Sequence, residues 1–226
     1  LNMDLIDQGT IAQIGRDLTA GDAEILDASG KYVMPGAIDV HTHLDTPWGT
    51  GYTTVDDWRA GSVGAVCGGT TSIVDFALQA PGVSLRESID AWHAKAEGKS
   101  VIDYSFHAMV MDLNEQVLAE IPQMIEREGI PSFKVFMAYK GVVQADDETL
   151  LKTMITANEH GGLVMVHAEN GDAIDIMVKE ALAAGHTEPI WHARTRPPIT
   201  EGEATNRSVH LARVAGCSTS RRMEAL

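Results

Sequence analysis

His41 and His43 stand two residues apart in Val40-His41-Thr42-His43-Leu44-Asp45, directly after the apolar stretch Tyr32 to Ile38. Side chains alternate faces along extended backbone, so both imidazoles project to one side. Two imidazoles on one face at a strand's end can ligate a transition metal, although two histidines near a turn can equally be surface residues. Similar polar positions sit in later apolar runs: Asp75 in Ile73-Val74-Asp75-Phe76, His107 in Ser105-Phe106-His107-Ala108, Lys134 in Ser132-Phe133-Lys134-Val135-Phe136-Met137, and His167 at the end of Leu163-Val164-Met165-Val166-His167. Asp75 and His107 read best as satisfied buried polar groups. A lysine within an apolar strand loses hydration and its pKa falls, leaving a usable neutral amine. Such an amine can be a Schiff-base nucleophile, or can take up carbon dioxide as an anionic, oxygen-donating carbamate. A third reading has the ammonium snorkel to the rim. His167 has the position of a third imidazole ligand. His93, His160, His186, His192 and His210 fall in helix or loop contexts and read as surface.

The elements that would hold these groups alternate. Strand candidates are Gly36 to His41, Thr70 to Phe76, Val101 to Val110, Ser132 to Met137 and Gly162 to His167. Between them lie helical patterns with readable ends. Ser84-Leu85-Arg86-Glu87 is a capping box followed by Ile89, Trp92 and Ala96; Asp146 can cap a helix with Leu150, Leu151, Met154 and Ile155 on one face; Asn114 to Glu128 ends at Gly129. Thr200-Glu201-Gly202-Glu203 reads as another capping box. Strand starts recur roughly every 30–36 residues, the size of a βα unit. Five such units in series predict an α/β fold with a parallel sheet. No glycine-rich dinucleotide loop follows the first strand, so a partial (β/α)8 barrel is preferred to a doubly wound sheet. Barrels carry reactive groups at the C-terminal ends of their strands, where the histidines and Lys134 stand.

Residues 1–32 read differently. Asp4 to Ile6 and Thr10 to Ile14 are short strands around Gln8-Gly9, with Glu24 to Leu26 a third, and together they predict part of a small β module. The expected organisation is therefore 1–32 as a partial β module, 33–217 as an incomplete barrel domain, and 218–226 as a divergent tail foreign to the fold. The tail contains no apolar run where a sixth buried strand is due.

The net charge of −15, from 32 acidic and 17 basic residues among 226, argues against general nucleic-acid or anionic-membrane binding, which needs a basic face. The two cysteines, Cys67 and Cys217, make no disulfide framework and fit a reducing compartment; Cys67 reads as a small buried apolar residue. No apolar run approaches the roughly 18 residues of a membrane span, and a cytoplasmic location is expected. The chain opens on Leu1, within strand-like sequence, so preceding residues are expected.

Several stretches carry a resemblance. They are Met34-Pro35-Gly36-Ala37-Ile38-Asp39-Val40-His41-Thr42-His43-Leu44-Asp45, Gly68-Gly69-Thr70-Thr71-Ser72-Ile73-Val74-Asp75-Phe76, Ser132 to Gly141, Val166-His167-Ala168-Glu169-Asn170-Gly171, and Arg196-Pro197-Pro198 with Glu201 to Arg207. Together they resemble the hydantoinase/dihydropyrimidinase family of cyclic amidohydrolases. That resemblance implies a partial (β/α)8 barrel preceded by part of a small β-sandwich, and two divalent metal ions, most simply zinc. His41 and His43 would bind one, His167 the other, and a carbon dioxide-derived carbamate on Lys134 would bridge them. It implies that Tyr139 hydrogen-bonds the ring carbonyl, that the substrate is a cyclic ureide (hydantoin or dihydropyrimidine) opened to an N-carbamoyl amino acid, and that the complete protein is a homotetramer. The family's further metal-binding histidine would fall at about Met223, and its catalytic aspartate after strand 8 has no counterpart. No catalytic residue is therefore assigned, and the polypeptide as written is expected to be an inactive N-terminal fragment that folds poorly. The alternatives are a non-catalytic dihydropyrimidinase-like scaffold, an allantoinase- or dihydroorotase-like enzyme, and a Schiff-base lyase using Lys134.

Overall fold

The computed structural model describes residues 3–19, 21–48, 51–217 and 223–225. Contacts divide the chain into two units, Leu1–Gly36 and Ala37–Leu226.

In the first unit, β1 (Met3–Asp7) and β2 (Thr10–Gly15) form an antiparallel hairpin with Asp7 opposite Thr10. Its two-residue turn, Gln8-Gly9, is left-handed at both positions (φ 49° and 74°). A tight hairpin turn that follows the strands' twist needs that geometry. Glu24 to Leu26, expected as a strand, is irregular, with Ile25 73% and Leu26 83% exposed. An extended apolar segment becomes a strand only where another strand pairs with it, and among the described residues none does.

The second unit begins with β3 (Ala37–Thr42), followed by a small hairpin of β4 (Pro47–Trp48) and β5 (Tyr52–Thr53). Then strands and helices alternate: α1 (Trp58–Cys67), β6 (Thr70–Ala77), α2 (Leu85–Ala96), β7 (Asp103–Met109), α3 (Glu115–Glu126), β8 (Ser132–Phe136), α4 (Asp147–Glu159), β9 (Leu163–His167), α5 (Gly171–Ala183), α6 (Ile190–Arg194) and α7 (Pro198–Val214). A three-residue strand, β10 (Met223–Ala225), closes the series. The main sheet runs β10-β9-β8-β7-β6-β3 and every pairing in it is parallel. It is a curled half-barrel with the five expected long strands. From the segment expected to diverge, Met223–Ala225 lies beside Val164–Val166 at one edge, while 218–222 fall outside the described residues.

The helix ends show why the alternation holds. Ser84 and Glu87 form the expected capping box, and Asp146 and Asn114 accept from Thr149 and Val117 backbone N–H groups. Glu120 of α3 adds a carboxylate to the start of α2, accepting the Leu85 N–H at 2.7 Å. Two helices that the periodicity left unnamed, α1 and α5, are capped the same way by Asp57 and Asn170. The expected box at Thr200 is not formed. Helix α7 starts earlier, at Pro198, whose fixed φ and missing N–H suit the first helical position, and the Thr200 hydroxyl donates back to the Pro197 carbonyl. Cys67 is a second correction: it is exposed. It lies nine residues beyond the buried Trp58, half a helical turn out of phase, so it faces away from the core.

Period-two alternation sorts the strand residues into two faces. Ile73, Phe106, Ala108, Phe133, Val135, Val164 and Val166 join the large core cluster with side chains of the helices, such as Ile89, Ile121 and Leu150. Phe76, Met109 and Met165 form a smaller cluster on the opposite, inner face. Lys134 alternates with Phe133 and Val135, and His167 follows Val166, so both belong to the inner face.

Candidate metal centre

Lys134 lies in the middle of β8 and is only 2% exposed. Its Nζ stands 5.7 Å from the centre of the Phe76 ring and 5.1 Å from that of Phe136, and no hydrogen-bond or ion-pair partner is found among the described residues. Burial pushes its ammonium down to about 8. A buried lysine without a carboxylate is therefore close to releasing its proton, which makes it a nucleophilic amine.

His41 and His43 reach the same region from the end of β3. Their ring centres are 5.3 Å apart, and both pack on Phe76, at 4.8 and 5.1 Å. Burial pushes the His43 imidazolium down to about 4, reinforced by His41 and Lys134. His41 is lowered first by burial and then by Lys134, against an opposing pull from Asp39. Both rings are consequently neutral at pH 7 and carry lone pairs, the form that binds metals. His43 Nδ1 is buried with no hydrogen-bond partner among the described residues.

Backbone tethers fix this loop. Asp75, fully buried on β6, accepts at one oxygen from both the Thr42 hydroxyl and the Leu44 N–H, each at 2.8 Å, the two residues that bracket His43. Its other oxygen accepts from Trp92 Nε1 of α2 at 3.1 Å. Gly61 on α1 leaves the space that the Leu44 side chain fills. Burial nevertheless raises the Asp75 carboxyl to about 6, against the opposing pull of these bonds. His107 is satisfied as expected: Nε2 donates to the Val40 carbonyl at 2.9 Å and Nδ1 bonds the Ser132 hydroxyl, so neither nitrogen is left for a ligand.

His167 stands at the end of β9. Its ring stacks on Phe136 (5.3 Å, 21°) and lies 5.2 Å from Tyr139, while Nε2 is 2.8 Å from Glu169 Oε2. Tyr139 holds a left-handed backbone (φ 66°), rare for a residue with a side chain, and its carbonyl accepts the Val142 N–H at 3.0 Å. A cleft of about 250 Å³ opens here, lined by Tyr139, His167, Glu169, His192, Arg196 and Glu201. Of the histidines expected at the surface, His186 is half-buried and stacks on Trp191 at 3.8 Å; the other four are exposed.

Among the described residues no three His, Cys, Asp or Glu side chains converge on one point. His41 and His43 form one pair of packed rings, Lys134 acts electrostatically on both, and His167 acts more weakly on His41. The donor set nevertheless suits borderline divalent ions: neutral imidazoles, one with an orphaned buried nitrogen, around a buried lysine with no partner. Glu169 was missed as a partner of His167; the signal that could have found it is the two-residue spacing, which on extended backbone brings both to one side.

A parallel half-barrel with His41, His43 and His167 at the C-terminal ends of its strands and Lys134 within one of them defines the class: an α/β barrel-type protein built as barrel enzymes are. The Amidohydrolase family profile matches residues 32–223, and the chain belongs to that family, whose members generally depend on two metal ions. The D-hydantoinase of Geobacillus stearothermophilus is 57% identical over 212 residues, covering 94% of this chain and 45% of that protein. The dihydropyrimidinase of Rattus norvegicus is 39% identical over 218 residues, covering 94% and 42%. The crystal structure of dihydropyrimidinase from Brevibacillus agri NCHU1002 superposes with a TM-score of 0.89 at 56% identity, covering 92% of this chain and 45% of that one. The chain thus spans under half the length of these relatives. No helix among the described residues is long and apolar enough to cross a membrane.

Proposed function

We propose that this chain is the metal-binding part of a cyclic amidohydrolase that opens hydantoin or dihydropyrimidine rings to N-carbamoyl amino acids. The observation that carries the reading is the buried, unpartnered Lys134 beside His41 and His43, in a chain 57% identical to a D-hydantoinase over nearly its whole length. His41 and His43 would hold one divalent ion and His167 a second, zinc in this reading, with Lys134 shared between them. Bound there, the ions would supply Lewis acidity toward the ring carbonyl and acidify a bound water.

The chain's own residues prepare for this. Because burial favours its neutral form, Lys134 Nζ can attack the carbon of carbon dioxide, lose a proton to water and remain as an anionic carbamate. That converts an isolated buried amine into an oxygen donor matched to two cations. The neutral rings of His41 and His43 keep their lone pairs for a ligand instead of for protons. Tyr139, over the His167 ring, would donate its phenolic proton in a hydrogen bond to the ring carbonyl oxygen. The protein would work on a small cyclic ureide in the cytoplasm, with the complete protein a homotetramer.

The test is metal retention. The chain is loaded with zinc in bicarbonate buffer, desalted and analysed for metal, beside Lys134→Ala and His43→Ala variants. Stoichiometric zinc in the parent and its loss from both variants is the expected outcome. A parent chain that retains none, or a Lys134→Ala chain that retains as much, overturns the reading. Borohydride reduction with a carbonyl compound should leave the mass of Lys134 peptides unchanged; a reduced adduct would favour Schiff-base chemistry instead.

A further inference from the structure

We propose that Glu169 is the positioning residue of His167, selecting which imidazole nitrogen is presented to a metal. The inference rests on the metal reading of His167 and deepens it. A carboxylate only accepts hydrogen bonds, so the 2.8 Å contact between Glu169 Oε2 and His167 Nε2 requires the proton on Nε2. Of the two neutral tautomers, only the one with the proton on Nε2 fits this contact. Its lone pair sits on Nδ1, which has no hydrogen-bond partner among the described residues.

Geometry restrains the pair from both sides. The imidazole is stacked on Phe136 and approached by Tyr139, while the side chains of His167 and Glu169 are only 25% and 19% exposed. Glu169 is placed by the chain immediately after β9: Asn170 N–H bonds the Thr200 carbonyl and Gly171 N–H bonds the Met137 carbonyl, so the residues following Glu169 are pinned to two other segments. The contrast with His107 is informative. There both nitrogens are committed to protein partners, and the ring is structural. At His167 one nitrogen is committed to a carboxylate and the other is left open, which is how ligand imidazoles are oriented and made more basic.

The experiment uses the 226-residue chain with uniformly 15N-labelled histidine, as parent, Glu169→Gln and Glu169→Ala. Glutamine keeps an acceptor oxygen at the same reach, and alanine removes it. In the metal-free proteins, the 15N shifts of His167 should report the Nε2–H tautomer in the parent and in Glu169→Gln, and a mixture in Glu169→Ala. Zinc affinity, measured by competition with a chromophoric chelator, should fall roughly 10–100-fold in Glu169→Ala and stay within about threefold in Glu169→Gln. A merely structural role would leave the tautomer unchanged while lowering stability. An unchanged tautomer or an unchanged zinc affinity in a folded Glu169→Ala chain overturns the proposal. If the parent binds no zinc, the metal reading has failed; the tautomer comparison then decides the role of Glu169 by itself.

Discussion

At the scale of single residues, burial does two opposite things to the ionisable groups around β8. Asp75 and His107 are surrounded by protein hydrogen-bond partners, whereas Lys134 among the described residues has only the aromatic faces of Phe76 and Phe136. An unpartnered buried cation destabilises the fold that holds it, and the sign is set by its pKa. With the Lys134 value lowered to about 8 from the ordinary 10.5, the penalty is fully present below pH 8 and is relieved as pH rises toward 10.5. Lys134→Met should therefore stabilise the metal-free chain at pH 7, by up to about 3 kcal/mol, with the gain fading across that alkaline window. Urea unfolding in carbon dioxide-free buffer at pH 7 and pH 10.5 measures both values. A Met variant less stable than the parent at pH 7 would mean that Lys134 has a partner in solution.

Elements transmit this precision. Asp75 joins β6, the loop after β3 and α2 through three hydrogen bonds, two to the residues on either side of His43. Asparagine offers one acceptor oxygen in place of two. Asp75→Asn should consequently lose the Trp92 bond, cost about 1–3 kcal/mol in urea unfolding, and free the Trp92 indole N–H for faster hydrogen exchange. Unchanged stability would show that the loop is held by other contacts. Helix α5 is seated as closely: a methyl group added at Gly171 would lie 2.8 Å from Ala138 Cα and press on the Gln144 side chain. Gly171→Ala should destabilise by about 1–3 kcal/mol through overpacking, read by thermal unfolding. It should also shift the amide resonances of Ala138 and Tyr139 beside the cleft.

For the whole molecule, the decisive feature among the described residues is a parallel sheet with β3 and β10 as its outer strands. Strand β3 pairs only with β6 among the described residues, and Ile38 on it is 64% and Val40 44% exposed. Unpaired strand edges with apolar side chains template association. The chain should show concentration-dependent self-association in sedimentation velocity, reduced by Ile38→Lys. An Ile38→Lys chain that associates as strongly would place the sticky surface elsewhere. His41 itself is exposed, and a ligand position open to water weakens electrostatic catalysis. The 226-residue polypeptide should turn over neither hydantoin nor dihydrouracil at rates above the solvent blank, and metal-dependent ring opening by it alone would contradict this.

Local rules in the sequence determined much of this protein. The period-two and helical patterns, the caps at Ser84, Asn114 and Asp146, and the placement of His41, His43, Lys134 and His167 at or near strand ends all follow from short-range chemistry that neighbouring residues decide. The burial of Asp75 and His107 was legible from their apolar surroundings, although the partners that satisfy them come from distant segments. Only the tertiary structure decided the rest, because those outcomes depend on partners distant in the chain. Glu24 to Leu26 remains irregular without a strand to pair with; Cys67 is exposed because Trp58 sets which side of α1 is buried. Proline at the first position of α7 displaced the cap expected at Thr200. The bracket that Asp75 forms around His43 spans more than thirty residues. The absence of a hydrogen-bond or ion-pair partner for Lys134 among the described residues, which gives this residue its chemistry, is a property of everything packed around it.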